Sequence, residues 1–348
     1  MSYVTPMAKR KGLKLFGSPN EIFLIIAIAA LSLVIGFSNP VFFSIATPFD
    51  LVRSSLIEIL FAFGLLLVLV SGGIDISFPI VGIFAGYTSV VIMQTYGLDT
   101  YSLWIPLVLA AIVGAILGSI NALLIAGFGL PTLIATLGTA GMFRGFLLTY
   151  VGSAFLANIP LGLDQFATAD LISLETSGGT LARLHVLVIP VLILAVAIAF
   201  LMRRTMFGRT IFAIGGSEES ARRMGMNVRW AKAQLYILVG TLSGVAGVLF
   251  ISLQRKADPY DLAGTELEII AAVVLGGASI MGGYGTVTGT ILGVLLINLI
   301  KDNLILLGVD GAWQRAAIGL MLLIGVCSQA ISDKRRLKQA VTVSEEKS

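Results

Sequence analysis

The sequence predicts an all-α fold: a polytopic bundle of about ten membrane-spanning helices, with both termini on the cytoplasmic side. Three observations carry this. Of 348 residues, 57% are hydrophobic and 12% charged, where an ordinary soluble domain has about 25% charged residues. The mean hydropathy is +0.98. The basic residues, finally, gather in a few blocks instead of dotting a solvated surface.

A spanning helix needs about 20 apolar residues. Apolar runs split at polar or Gly/Pro punctuation give spans at roughly 21–37, 55–70, 78–94, 103–126, 131–151, 185–202, 231–253, 267–281, 286–306 and 312–331. The first run has no small-residue cleavage pattern behind it and reads as a retained helix, not a signal peptide. Sixteen of the 23 basic residues fall in three places: Lys9–Lys14, Arg203–Lys232 and the tail from Lys334. The positive-inside rule puts all three in the cytoplasm. Six spans before the middle block and four after it satisfy parity. The stretch 152–184, with Asp164, Asp170 and Glu175 against Arg183, falls outside. The chain then divides into a cytoplasmic tail (1–20), a transmembrane domain (21–331) with a cytoplasmic loop near 203–230, and a second tail (332–348). A pI near 9.2 reports this topology and not nucleic-acid binding, since no aromatic platform is interleaved with the basic residues.

Several chemistries are excluded. A single cysteine (Cys327) permits no internal disulfide, and a single histidine (His185) permits no His-cluster zinc site. Neither G-x-S-x-G nor the phosphate loop G-x-x-x-x-G-K-[ST] occurs, so no nucleotide binds by a Walker A loop. No Ser/His, paired-Asp or His-metal constellation supports an intramembrane enzyme, and no cofactor is expected.

Glycine is the next signal, with 39 residues. Gly82/Gly86, Gly114/Gly118, Gly141/Gly145, Gly240/Gly244 and Gly285/Gly289/Gly293 repeat at four-residue spacing in or beside spans. Lipid tails are as apolar as leucine, so such small-residue faces let helices associate by close backbone approach. Three Gly-rich breaks differ from these: Ser71–Ser77 (with Gly72, Gly73 and Asp75), Gly127–Thr132, and Gly276–Gly285 (with Gly277). They read either as turns at cytoplasmic helix ends or as walls of a gate, because irregular backbone at membrane depth must be buried in protein or line a wet cavity. Glu58 and Ser71-Gly-Gly are followed, far along the chain, by Glu268 and Leu275-Gly-Gly, a faint internal similarity. Ionisable residues inside spans cost free energy and tend to face a partner or water. Glu58 and Arg144 are deep by count, whereas Lys301, Asp302 and Arg315 are close enough to an outer interface to snorkel. Asn121, Tyr150, Asn298, Asn303, Trp313 and Gln314 are polar or aromatic candidates for a solute pathway by type alone.

At these residues the sequence resembles a known family. The Gly-Gly-Ile-Asp core of Ser71–Ser77, the block Ala135–Thr139, the Gly208/Ala213/Gly215 loop and Ala271–Gly277 are similar to permease subunits of bacterial ribose/xylose/arabinose-type sugar ABC importers. Permeases for the autoinducer-2 signal belong to the same group. Asn39-Pro40-x-Phe-Phe43 fits too, and the likeness runs from about 20 to 331 in order. It implies an inner-membrane subunit that forms, with a second identical or paralogous permease chain, the pathway for a small sugar. A periplasmic binding protein would deliver the sugar and separate ATPase subunits would drive transport.

The resemblance also implies a coupling helix at 217–225. Ser217 suits its N-cap, Glu218 and Glu219 its positive end, and Gly225 its stop. Ala221 and Met224 lie three apart and are expected to offer the ATPase one apolar face, with Arg222 and Arg223 at the rim. The reading from another class is a secondary transporter driven by an ion gradient, for which the sequence offers Glu58 as a buried coupling carboxylate.

Overall fold

A computed structural model describes residues 19–98, 102–175 and 181–304, with isolated positions between 313 and 323. It is a helical bundle. The main helices are α1 (Pro19–Ser38), α2 (Ala46–Val70), α3 (Phe78–Thr95), α4 (Trp104–Ala122) and α5 (Thr132–Phe146), followed by the short α6 (Leu161–Ala167). After these come α7 (Val188–Arg204), α8 (Met206–Gly216), α9 (Glu218–Arg223), α10 (Val228–Gln254), α11 (Glu266–Leu275) and α12 (Val287–Leu304). Six described helices are long and apolar enough to cross a membrane, or seven if α7 and α8, bent by 68°, count as one span.

Six of the ten expected spans correspond to full-length helices, and two of the others differ in kind. The run 185–202 forms only the first arm of the bent α7–α8 pair, because Thr205 ends α7 and its side chain caps Gly208 N at the start of α8. The run 267–281 shortens to the ten-residue α11. Gly277 there adopts φ +94°, a left-handed conformation only glycine takes cheaply, and this stops the helix. Val287–Leu304 answers to 286–306, and 312–331 lies almost wholly outside the described residues. One element was not expected. Strands β1 (Asp170–Glu175) and β2 (Leu181–His185) pair antiparallel in the stretch 152–184.

The bundle has two distinct ends. At one end lie the start of α1, the end of α2, the start of α5, α8 and the 276–285 break. Asn20 Nδ2 donates to Leu275 O, Ile74 N to Thr132 Oγ1 and Gly283 N to Val70 O. At the other end lie the hairpin and the end of α10. There Arg255 binds Asp164 with two bonds, Ser252 Oγ donates to Leu163 O, and Leu156 bridges to Ala257. These are called the loop end and the hairpin end below.

The four-residue glycine spacing explains how the centre closes. A Cβ on Gly114 would stand 2.2 Å from Gly240 O, and one on Gly247 would stand 1.9 Å from Gly82 O. Helices α3 and α4 therefore meet α10 backbone to backbone, where a larger side chain has no room. The same holds for Gly293 of α12 against Ala272 O of α11. Gly141 and Gly145 of α5, by contrast, meet nothing within 4 Å. Around this seam the core is aliphatic and aromatic, with Phe61, Phe63, Phe78 and Tyr236 nearly or fully buried.

Replacing Gly247 by leucine is therefore expected to cost more than the roughly 1–3 kcal/mol of ordinary overpacking, since backbone and not a movable side chain blocks it. Gly216→Ala, with open space at its Cβ, serves as the control. Thermal unfolding of the purified chains in detergent should show a marked loss of stability for the first and little change for the second.

Candidate functional site

Chemistry-bearing residues collect in three places along the bundle. The first is the loop-end break between α2 and α3. Gly72 at φ +80° turns the chain out of α2, and residues 73–77 run extended before α3 starts. Their backbone groups are met by side chains of α5. Thr132 Oγ1 accepts from Ile74 N at 3.1 Å, and Thr136 Oγ1 donates to Ile74 O at 3.3 Å while accepting from Ile76 N at 3.4 Å. Asp75, 2% exposed, accepts from both the backbone N and the Oγ of Ser77 at 2.7 Å. Asn121 then donates to Ser77 Oγ at 2.8 Å and accepts from Thr139 Oγ1 at 2.7 Å. Two separate sequence blocks, Ser71–Ser77 and Ala135–Thr139, thus meet at one buried network with Asn121 as the link. In it Asp75 and Asn121 hold a broken helix in shape, and their side chains face protein and not an open cavity.

The second place is the loop 203–232. Ser217 caps α9, its Oγ accepting from Ser220 N at 3.2 Å. Glu218 and Glu219 sit in the first turn and pair with Arg222 and Arg223 one turn on. Gly225 stops the helix at φ +80°. The helix is six residues, shorter than the 217–225 expected. Glu218 makes a second ion pair that spacing did not suggest. Lys232 Nζ of α10 reaches Glu218 Oε2 at 2.6 Å, with the lysine side chain only 20% exposed. That bond is the largest influence holding the Glu218 carboxyl below the ordinary carboxylate range.

Ala221 is a correction. It was expected to face a partner, yet it is completely buried against Ile214, Val228 and Ala231 of its own chain. The single turn between α8 and α10 forces this: α9 is wedged between them, so its one methyl-sized side chain faces inward. What the loop presents outward is Met224, Met206 and Trp230, each more than 60% exposed, beside Arg222, Arg223 and Arg229.

The third place is a cavity of about 430 Å³ in the hairpin-end half, between α2, α10, α11 and α12. Glu58 and Asn298 line it. Lys301 is a further correction: it does not snorkel. Its Nζ binds Glu58 Oε1 at 3.1 Å and Glu268 Oε2 at 3.0 Å. Asn298 Nδ2 donates to Ser55 Oγ at 3.0 Å, and Ser54 Oγ donates to Asp302 at 2.8 Å. The two glutamates of the faint internal similarity therefore meet across one lysine, although their distances to the following Gly-Gly pairs differ. Gln314 donates to Lys301 O at 2.9 Å, and Asn303 bonds back to Leu299 O within α12.

The remaining candidates scatter. Tyr150 and Trp313 are 75% and 65% exposed, on the outside of the described bundle. Gly276 packs under Gly289 O and Gly277 against Asn20, so both serve closure of the loop end. Arg315 and Cys327 lie outside the described residues. Sequence reasoning missed the pairing roles of Glu268, Lys301 and Lys232. The signal available was charge at membrane depth, which calls for a partner of opposite sign.

Residues 47–326 match the family described as branched-chain amino acid transport system / permease component. The chain belongs to that family. Among relatives, the autoinducer 2 import system permease protein LsrC of Salmonella typhi is 31% identical over 89% of this chain and 86% of its own length. The probable ABC transporter permease protein YphD of Escherichia coli K12 is 31% identical over 96% and 97%. LsrC of Escherichia coli K12 / DH10B is 30% identical over 89% and 87%. The chain is thus a multi-pass permease subunit of the ABC importer type, seated in the bacterial inner membrane, and its long apolar helices agree with that seat.

In this permease the Glu218–Lys232 pair carries a pH prediction. Because the folded carboxyl lies below its ordinary value, the pair's stabilisation is fully present at neutral pH. It is lost only as pH falls through the lowered value, in the acid range. Glu218→Gln should open the loop at neutral pH. Amide hydrogen exchange over 217–226 should speed up in that variant and stay unchanged in the hairpin 170–185.

Proposed function

We propose that this permease moves a small sugar or related polyol, delivered from outside by a binding protein and driven by ATPase subunits encoded apart. The loop end faces the cytoplasm, and the bundle completes about ten crossings with the segment beyond Leu304. The transmembrane domain then runs over 21–331, between tails at 1–20 and 332–348. Ser217–Gly225 is the coupling segment, and the pathway draws on Glu58, Asn298 and the breaks at Gly72–Gly73 and Gly276–Gly277.

One observation carries the reading. The only described loop that combines exposed methionines, an exposed tryptophan and clustered arginines sits at the same end as all three Gly-rich breaks. A docked partner pushing on α9 would therefore act directly on the segments whose backbone is irregular. The LsrC relatives are named for autoinducer 2 import and not for an amino acid. The open Gly141/Gly145 face of α5, with exposed Ile134 and Met142 beside it, fits a second permease chain.

Met224 now replaces Ala221 as the docking test. Met224→Asp puts a charge on the exposed apolar tip without touching this chain's own core. It should leave expression and membrane insertion intact while ATPase co-purification and solute uptake fall together. Normal co-purification would remove the coupling role. Ala221→Asp, by contrast, should loosen the loop itself, because a buried charge without a partner costs several kcal/mol.

Orientation is read independently. Thr168→Cys, at an exposed position in a Cys327→Ser background, should react with an impermeant thiol reagent in intact spheroplasts. Ser217→Cys should react only after permeabilisation. The reverse pattern would turn every sidedness statement over.

The Lys301 pair with Glu58 and Glu268 favours a second reading, an ion-coupled transporter with buried carboxylates. Reconstitution separates the two. Uptake by this chain alone under a proton or sodium gradient would establish the second reading; uptake only with an ATPase and ATP establishes the first.

A further inference from the structure

The hairpin-end cavity has the size of a small-molecule site, about 430 Å³ against the usual range of roughly 300–1,000 Å³. Its lining comes from α2, α10, α11, α12 and the segment before α11, all of one chain. Phe250, half-buried, supplies aromatic wall with the buried Phe61 ring behind it, and such a surface packs the C–H face of a sugar ring. Beside them, Glu58, Lys301, Asn298 and Gln254 line the same cavity with both acceptors and donors. The hairpin end is also the end that the importer reading turns toward the delivered solute.

Charge narrows the occupant. Asp50, Glu58 and Asp302 line the cavity with Arg53 and Lys301, and Glu268 stands behind Lys301. Carboxylates therefore outnumber cations four to two, and an anion entering this partly dry space meets net repulsion. A cation fares no better at the floor, because the lysine ammonium already occupies the point between Glu58 and Glu268. A zwitterion's carboxylate would meet the Glu58 and Glu268 carboxylates beside the one N–H donor that Lys301 leaves over. A hydroxyl has no such conflict. Lys301 spends two of its three N–H donors on the glutamates, and each glutamate has a second oxygen. Vicinal hydroxyls can accept from the first and donate to the second without breaking the ion pairs.

We propose that this cavity is a binding site within a single permease chain for a small uncharged polyol, and that the Glu58–Lys301–Glu268 cluster makes it reject anions. The assignment rests on the importer reading for its orientation and solute class. Glu58, Glu268 and Lys301 are specificity residues here, not parts of a proton relay.

Protection of a cysteine tests this on the full chain in membranes. In a Cys327→Ser background, Ser54→Cys lines the cavity and should react with an impermeant methanethiosulfonate added from outside. D-xylose should slow that reaction saturably, about fivefold at four times its half-effective concentration by simple occupancy. D-xylonate, L-leucine and choline at equal concentrations should not. Glu58→Gln or Glu268→Gln, each added separately, should let D-xylonate protect as well.

An unreactive Ser54→Cys would overturn the site, as would protection by leucine, choline or xylonate in place of xylose. So would the absence of any gain for xylonate in both glutamine variants. ATP-driven uptake by the complex is followed in parallel. Normal uptake with no xylose protection removes the cavity site and leaves the importer reading standing. Uptake independent of ATP removes the importer reading, whatever the protection result.

Discussion

Backbone-to-backbone contact along α10 is the constraint on which the rest of this permease depends. In a bilayer no hydrophobic force draws one apolar helix to another, so association relies on close packing and hydrogen bonds. Gly240, Gly244 and Gly247 let α10 sink against α3 and α4 until carbonyls of one helix occupy the place of side chains on the other. Twenty-seven residues long, α10 then spans about 40 Å and fixes what lies at each end. At its start Lys232 holds α9; near its finish Phe250 and Gln254 line the hairpin-end cavity.

A second constraint stands beside the first. Helices α2 and α11 break at their glycine pairs, and the buried backbone groups just beyond, such as those of residues 73–77, need partners within the protein. The chain meets this locally. Thr132 and Thr136 serve the 73–77 segment, and Asp75 with Ser77, Asn121 and Thr139 makes a satisfied buried network, the form in which buried polar groups rigidify a structure without penalty. Asp75 accordingly belongs to the architecture of the break. Its bonds to Ser77 turn it into protein, although its place in a Gly-rich break had suggested the wall of a gate.

Periodicity and composition made much of this legible, and the failures have physical causes. Hydropathy located α1, α3, α4, α5 and α10 to within a few residues because each is long, apolar and bounded by glycine, proline or charge. It overran α11, since Gly276 and Gly277 are apolar by composition yet end a helix by conformation. It merged α7 with nothing, although α8 turns away at Thr205, because a single capping threonine carries no hydropathy signal. The hairpin 170–185 was missed for the opposite reason: short strands between polar turns look like loop. The short helix α9 was visible from its cap, acids and glycine, but which face it buries depends on α8 and α10, far outside any local window. Lys301 was misjudged in the same way, since its partners lie 243 and 33 residues away in the chain.

The geometry also suggests how the two ends of this permease communicate on the importer reading. Lys232 and Gln254 belong to one unbroken helix. Around it, α2 and α11 carry the glycine breaks at their loop ends and the glutamates toward their hairpin ends. A push on α9 therefore reaches the outer cavity by two routes: along α10 as a rigid rod, and through the breaks at Gly72 and Gly277 into α2 and α11. The second route bears on Glu58 and Glu268, whose shared hold on Lys301 is the tie between α2, α11 and α12 at that level. A relative shift of α2 against α11 must lengthen one of two contacts near 3 Å, while α10 keeps Phe250 and Gln254 in place. The cavity would thus change shape by sliding its charged floor past a fixed wall. That division of labour needs what the sequence supplies: an unbroken, glycine-seamed helix beside two that are broken.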